Sequence, residues 1–196
     1  MGSEMCIRDS FMEEQNFLVN KFLFFQEKSQ DDYFYNALIY IFEHNENGAL
    51  GLIINKSLPI EEEKIFSSIG LQNISSNKSI LNGGPVEVTK LFVLHDDDSQ
   101  KESISNVNGL CLTSSVDLLK DIGNGTNTCK YKLALGYCGW DAGQLDYEVS
   151  KNSWHIIDFN PLEIFNSEPE ELISIISKTN GFDIDKIQHT DIITKH

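Results

Sequence analysis

The sequence predicts an α/β protein, α+β-like in its element order, with a mixed β-sheet flanked by helices. First, β-prone and helical patterns alternate irregularly along the chain. Second, the runs Leu38–Glu43 and Ala49–Asn55 indicate a hairpin, because Asn47-Gly48 between them supplies positive-φ positions. Third, Leu133–Trp154 predicts a buried strand, a glycine-spaced turn and a short helix. This irregular order with a hairpin favours a mixed sheet over a doubly wound one.

The first half of the chain predicts strands around one helix. Phe17–Phe25 is apolar enough for a largely buried first strand, and Gly51 in the hairpin predicts a bulge or a close neighbour. Glu61–Ile69 combines an acidic start with an apolar stripe, which predicts a short amphipathic helix ended by Gly70. Further strand and turn signals in this half are Ile80–Leu81, Asn82–Pro85 and Leu91–His95.

The second half predicts capped helices. Ser114, with Asp117 three residues later, predicts the cap of a helix over Ser115–Ile122. Asp141 is predicted to cap the helix after the glycine turn, with Gln144 reaching back. The other predicted elements are strands at Gly109–Leu112 and His155–Phe159, a helical turn at Pro161, and a last helix that Ser167–Glu170 opens and Gly181 ends.

Composition predicts one soluble globular domain. The chain has 196 residues, of which 40% are hydrophobic. Residues 1–10 differ in pattern from the rest of the chain and are interpreted as a non-native or disordered leader, residues 11–181 as a single domain, and residues 182–196 as a weakly patterned tail. No apolar run approaches the roughly 20 residues that span a bilayer, so we expect no membrane association and a cytoplasmic location.

The charge and the cysteines exclude several function classes. A formal net charge of −15 repels phosphate backbones, and no basic cluster stands out, so direct nucleic-acid binding is disfavoured. The four cysteines contain no C-x-x-C pair, which gives no signal for a zinc site or a redox dithiol. We predict no metal and no other cofactor.

Two histidines follow predicted strands, where side chains from different segments can converge. His44 beside Glu43, and His95 beside Asp96, have the chemistry to transfer protons or bind a metal. Without a paired spacing, the alternative that each histidine hydrogen-bonds a turn is favoured.

Three other features have both a functional and a structural interpretation. The Gly83-Gly84 turn can expose N–H groups to an anion, but it lacks the context of a P-loop and is better interpreted as a structural turn. Cys138 is interpreted as a packed thiol rather than a nucleophile. Trp140, Asp141 and Gln144 combine an aromatic plate with hydrogen-bonding groups, although capping can account for Asp141 and Gln144, and core packing for Trp140.

Several motifs, in order from about Phe17 to Phe165, resemble the AlgH/YqgE family of bacterial proteins, which are uncharacterised or assigned to transcriptional regulation. The motifs that carry the resemblance are Tyr40–Asn45, Gly48–Lys56, Gly83–Val86, Phe92–His95, Leu112–Ser115 with Asp117, and Leu135–Leu145 with Asn152 and Trp154. The resemblance implies an α/β fold on a mixed, partly barrel-like sheet.

The sequence also departs from the family pattern. Phe24–Lys28 replaces the small-residue and proline pattern that usually follows the first strand. Cys138 stands in place of the usual alanine, Asp141 of glycine, and Ser57 of proline. A shared reaction at Cys138 is therefore disfavoured.

These observations lead to a ranked expectation of function. The first is a cytoplasmic, non-enzymatic binding or indirectly regulatory protein with an unknown protein or small-molecule partner. The second is an enzyme for a small anionic metabolite, with His44 or His95 as acid/base, and the third is direct DNA binding. The candidate ligand or partner residues are Glu43, His44, Asn45, Asn55, Gly83, Gly84, His95, Trp140 and Gln144.

Overall fold

The computed structural model describes residues 18–26, 31–71, 78–99, 103–107 and 109–181. The strands of these residues are β1 Phe22–Phe25, β2 Leu38–Asn45, β3 Gly48–Ile53, β4 Ser57–Glu61, β5 Ser79–Asn82, β6 Val86–His95, β7 Ser105–Val107, β8 Leu110–Thr113, β9 Tyr131–Asp141 and β10 Trp154–Ile157. The helices are α1 Glu62–Ser68, α2 Val116–Gly123, α3 Gln144–Ser150 and α4 Leu172–Asn180, with short 3₁₀ helices at Pro161–Phe165 and Pro169–Glu171.

The strands form a curled, half-barrel sheet. Along its main path the order is β10-β1-β2-β3-β9-β6-β8-β7, and all neighbours on this path are antiparallel. Off this path, β4 pairs antiparallel with β5, and β5 runs parallel to β9. The sheet is therefore mixed and combined with helices, which confirms the predicted fold class.

Strand β9 is the longest described strand, and its partner on one edge changes along its length. Its residues Ala134 and Leu135 pair with β5, whereas Cys138–Asp141 pair with β3. Gly83 fills the junction between the two partners. Its N–H donates to the Leu135 carbonyl at 2.8 Å, and its own carbonyl accepts from Ile53 N–H at 2.9 Å. The two ends of β9 therefore have different neighbouring strands on this edge.

The first two strands are buried on both faces. On β1, Phe22 and Phe24 pack into one apolar cluster, while Leu23 and Phe25 pack into a second cluster on the opposite face. This alternation follows from the two-residue period of a strand. The second cluster includes Trp154 of β10 and Leu145 of α3, so it joins this helix to the sheet.

The predicted hairpin is confirmed as β2 and β3. A side chain at Gly51 would place its Cβ 2.7 Å from a methyl group of Ile39, so the predicted close neighbour is present. The register of the pair shifts between Ile41 and Glu43, next to the partner of Gly51. The bulge predicted from this glycine therefore lies on the opposing strand.

Both predicted caps are wrong in position. Ser115, not Ser114, caps α2, and its Oγ accepts from Leu118 N–H at 3.5 Å. Gly143, not Asp141, precedes α3, in a left-handed conformation with φ +71°. The predicted reach-back of Gln144 is confirmed, because its Oε1 accepts from the Asp141 N–H at 3.0 Å.

The glycine-spaced turn lies later in the chain than predicted. β9 continues through Gly136 to Asp141, because Gly136 takes a left-handed φ of +72° beside a register shift in β6 without ending the strand. For the same reason β6 begins at Val86 rather than Leu91. The first strand begins at Phe22 in the described residues. Phe17, the leader and the tail lie outside them.

Candidate functional site

One carboxylate binds both tryptophans of the chain. Oε2 of Glu148 accepts the indole N–H of Trp140 at 2.9 Å and that of Trp154 at 2.7 Å. Its Oε1 accepts from the Gln144 amide at 2.8 Å. Hydrogen bonds to charged groups contribute about 1.5–3 kcal/mol each. Glu148 therefore ties the end of β9 and the start of β10 to α3.

Helix α3 places these groups because its two faces have different partners. Gln144 and Glu148 are four residues apart and so share a face. Leu145 is 1% exposed and packs into the second apolar cluster, with Val149 against it. Full burial of a leucine side chain contributes about 1.5–3 kcal/mol, which holds the short helix on the sheet.

Aromatic rings pack around the two tryptophans that bind Glu148. The ring centroids of Trp140 and Trp154 are 5.9 Å apart at 76°, and Trp154 also contacts Phe25 at 5.0 Å and Phe34 at 5.6 Å. These edge-to-face and tilted arrangements are the favourable ones for aromatic pairs. These rings together form an aromatic wall.

A cleft of about 270 Å³ opens against this wall. Its aromatic and polar lining comprises Phe25, Phe34, Trp140, Asp32, Gln144, Glu148 and Ser153. Asp32 is held in place because its Oδ1 accepts from Phe34 N–H at 2.8 Å. Among the described residues, two carboxylates line this cleft and neither lysine nor arginine does, although Lys56 lies close enough to interact electrostatically with Asp32 and Cys138. The lining of this cleft, which we call the Trp140 cleft, is therefore aromatic and acidic.

Cys138 also lines the Trp140 cleft. Its side chain is 1% exposed, and its thiol donates to the Gly83 carbonyl at 3.5 Å. Burial raises the pKa of this thiol to about 12, so the thiol is neutral near pH 7. A neutral thiol is a poor nucleophile, which supports the interpretation of Cys138 as a packed residue.

The structure brings together two of the predicted site residues, Trp140 and Gln144. His44 lies elsewhere, 6% exposed on β2. Its Nδ1 accepts the Leu18 N–H at 2.9 Å, and its Nε2 lies 3.3 Å from an Asp146 carboxylate oxygen. Because Nδ1 accepts, the ring proton is assigned to Nε2, facing Asp146.

His95 is fully buried at the end of β6. Neither ring nitrogen makes a hydrogen bond of normal geometry with the described residues, although the Asp97 backbone lies close. Burial lowers the pKa of His95, and the nearby Asp97 and Asp96 oppose this shift. Neither His95 nor His44 lines the Trp140 cleft.

The predicted polar residues of the hairpin have local contacts. Asn45 Oδ1 accepts from Asn47 N–H at 2.8 Å, inside the turn, while Glu43 is half-buried on β2. Asn55 Oδ1 accepts from Leu38 N–H, and its amide donates to the Asn36 carbonyl, both at 2.8 Å. Asn55 therefore holds the entry of β2 against the end of β3.

The two glycines of the predicted anion loop pack against β9. A Cβ at Gly83 would lie 2.2 Å from the Gly136 carbonyl oxygen, and one at Gly84 2.2 Å from the Tyr137 carbonyl carbon. The N–H of Gly83 already donates to Leu135. Close backbone approach explains both glycines, in line with a structural turn.

Glu148, Asp32 and the two phenylalanines of the cleft were not predicted. The position of Glu148 beside Gln144 could have been predicted, because the two residues are four apart on a predicted helix. Asp32 and Phe34 lie between strands, and no spacing relates them to Trp140. In the described ranges, no group of three or more histidines, cysteines and acidic residues is arranged to bind a metal ion. The helices of those ranges are too short or too polar to cross a bilayer.

Fold and site define an α/β protein with a half-barrel sheet and an aromatic, acidic cleft. The model of the AlgH-like family matches residues 22–185. A UPF0301 protein of Cupriavidus pinatubonensis is 37% identical over 171 residues, covering 85% of this chain and 90% of that protein. The chain therefore belongs to the AlgH-like family, which confirms the resemblance seen in its motifs.

Solved structures agree with this assignment. The solution structure of the AlgH protein from Pseudomonas aeruginosa matches with a TM-score of 0.74 and 30% identity, covering 90% of this chain and 96% of that one. A crystal structure of a protein from Corynebacterium diphtheriae matches with a TM-score of 0.60 and 16% identity, covering 89% and 88%. The latter likeness concerns the fold alone.

Proposed function

We propose that this protein is a non-enzymatic binding protein, and that its Trp140 cleft binds a basic side chain of a partner protein. The observation that carries the proposal is the pairing of aromatic walls with the carboxylates of Asp32 and Glu148. A cation over an aromatic ring gains about 0.5–2 kcal/mol, more when it is desolvated. A regulatory role would then act through the bound partner.

The size and charge of the site support a single side chain as the occupant. At about 270 Å³ the cleft is below the roughly 300–1,000 Å³ of pockets that hold drug-sized ligands, and its size suits one side chain. The net charge of −15 attracts a basic partner over distance and repels nucleic acid. The same charge makes direct DNA binding the weakest alternative.

The proposal includes a cytoplasmic location. Its support is the chemistry of the cysteines: Cys111, Cys129 and Cys138 are free thiols. Free thiols are typical of a reducing compartment. The rival proposal, an enzyme that uses His44 or His95 on a small anion, lacks a supporting observation in the geometry of the Trp140 cleft.

The test uses matched ligands. Nα-acetyl-L-arginine amide carries the guanidinium cation, and Nα-acetyl-L-citrulline amide has nearly the same shape without the charge. Because the chain contains only two tryptophans and both contact Glu148, intrinsic tryptophan fluorescence reports on this site. We expect a saturable change with the arginine ligand, at a Kd of about 1 mM, corresponding to about −4 kcal/mol.

Asp32→Asn is the matched variant. It removes one charge and keeps an oxygen for the Phe34 N–H, so the local turn is preserved. We expect severalfold weaker binding of the arginine ligand to this variant. Glu46→Gln, an equal charge change at an exposed hairpin position, is the control. Equal binding of the citrulline and arginine ligands, or equal losses in both variants, would contradict the proposal.

A further inference from the structure

A second cleft, of about 200 Å³, lies at the other end of β9. Residues from β4, β5, β9, α1 and both 3₁₀ helices meet there, together with residues that flank these elements. The charged side chains that line it are Glu62, Lys78, Lys132, Glu168 and Glu170. This second cleft thus combines two amines with three carboxylates, in contrast to the all-acidic Trp140 cleft.

The acidic side is built from a buried carboxylate. Glu62 is 1% exposed, and its Oε2 accepts the Tyr131 hydroxyl at 3.0 Å. Burial and Glu62 both raise the pKa of Tyr131, so the phenol stays protonated and continues to donate. The N–H of Glu62 donates to the Lys78 carbonyl at 3.0 Å, which fixes the first turn of α1 beside β5.

The basic side brings two like charges to one cleft. Lys132 is half-buried, and its Nζ donates to the Ser167 carbonyl at 3.0 Å. Lys78 immediately precedes β5, the strand that pairs with β9, on which Lys132 lies. The Nζ of Lys78 is 5.4 Å from the centroid of the Tyr131 ring. Burial lowers the pKa of Lys132; Glu168, Glu62 and Glu170 oppose that shift and Lys78 adds to it. The second cleft therefore presents charges of both signs to a ligand.

We propose that this second cleft binds a small zwitterion of the α-amino acid class. A pure anion would meet three carboxylates, and a pure cation would meet two ammonium groups, whereas a zwitterion has a partner for each of its charges. Its carboxylate faces Lys78 and Lys132, and its ammonium group faces Glu62. At about 200 Å³ the cleft excludes nucleotides and other large ligands.

This proposal is independent of the Trp140 cleft. Lys132 and Trp140 lie near opposite ends of the eleven-residue strand β9. The two clefts share no lining residue. Either one can therefore fail its test without affecting the other.

The test is a nuclear magnetic resonance titration of the full chain with each proteinogenic L-amino acid in turn. We expect at least one to produce saturable shifts of the Glu62 and Tyr131 amide signals. The tightest binder is then compared with its analogue lacking the amino group and its analogue lacking the carboxylate. We expect each analogue to bind at least about tenfold more weakly, as when a charged hydrogen bond is lost.

Charge-removing variants locate the site. Lys78→Gln and Lys132→Gln are expected to weaken binding at least about tenfold. Lys78 is exposed, so its variant tests the site even if Lys132→Gln disturbs the contact to Ser167. Lys120→Gln, on α2 and outside the cleft, is the control. The proposal is overturned if no amino acid binds, if the analogue without an amino group binds equally well, or if Lys78→Gln and Lys120→Gln lose equally.

Discussion

Glu148→Gln is the most direct test of the two hydrogen bonds from Trp140 and Trp154 to Glu148, which we call the tryptophan clamp. It keeps the shape of the side chain and removes its charge. A hydrogen bond to a charged group contributes about 1.5–3 kcal/mol and a neutral one about 0.5–1.5 kcal/mol, so each of the two indole bonds loses about 1 kcal/mol. Together these give about 2 kcal/mol. The new amide also faces the donor amide of Gln144.

The assay is urea and thermal unfolding followed by tryptophan fluorescence. For a chain of 150–250 residues, about 2 kcal/mol lowers Tm by about 4–8 °C. We also expect the native emission of Glu148→Gln to shift to the red, because the indoles gain contact with water. Glu46→Gln, with the same charge change, is expected to stay within about 0.5 kcal/mol of the wild type. A Glu148→Gln protein with unchanged Tm and emission would refute this account of the clamp.

Three further predictions concern buried groups. Burial lowers the pKa of His95 below its ordinary 6.5, so the unfolded chain binds more protons and stability falls as the pH drops below about 6.5. His95→Gln should therefore reduce the loss of unfolding free energy between about pH 7.5 and 5.5, measured by urea unfolding. Burial also lowers the pKa of His155, so His155→Gln should remove a second, independent part of the same pH dependence. An unchanged pH dependence in His95→Gln would contradict this assignment. Cys138, with its pKa raised to about 12, should resist iodoacetamide in the native protein and react after unfolding, as measured by mass spectrometry. Modification of the native protein would count against its burial. Gly84→Ala would place a Cβ 2.2 Å from a carbonyl carbon of β9, so it should lower the free energy of unfolding, measured in urea, by about 3 kcal/mol or more. Gly70→Ala is the control, because its Cβ meets nothing within 4 Å, and it should cost about 1 kcal/mol. Equal costs for the two variants would argue against the close approach.

The elements with strong local signals were predicted well. The hairpin of β2 and β3 was predicted from Asn47-Gly48, and α4 with its end at Gly181 was predicted from proline, acidic residues and an apolar face. Local rules decide such elements, because the turn and cap residues have few alternative conformations. The curling of the sheet was predicted from the resemblance to the family, because hydrophobic periodicity does not specify how a sheet curls.

The errors arose where tertiary contacts override local preference. Gly136 has the local signature of a strand end, but it bends β9 while β6 continues to pair with it. Ser114 and Asp141 satisfy the capping pattern, yet the helices begin one residue later than predicted in the first case and two residues later in the second. A sequence pattern fixes the presence of a helix more firmly than its first residue.

The candidate site was predicted in part. Trp140 and Gln144 do meet, because both belong to one short strand-to-helix segment. His44 and His95 were grouped with them through their shared position after strands, but that position does not determine which cleft a side chain faces. Asp32 and Phe34 approach from more than 100 residues away in sequence, and such long-range pairing has no local signal.

The most direct test of the Trp140 cleft is a ¹H–¹⁵N titration that follows the indole signals, with Trp140→Phe to assign them. The chain gives two such signals, one for each tryptophan. We predict that Nα-acetyl-L-arginine amide moves the Trp140 signal in a saturable way and that Nα-acetyl-L-citrulline amide does not. Equal shifts with both ligands, or no shift with either up to tens of millimolar, would contradict the assignment of this cleft as a site for a basic side chain.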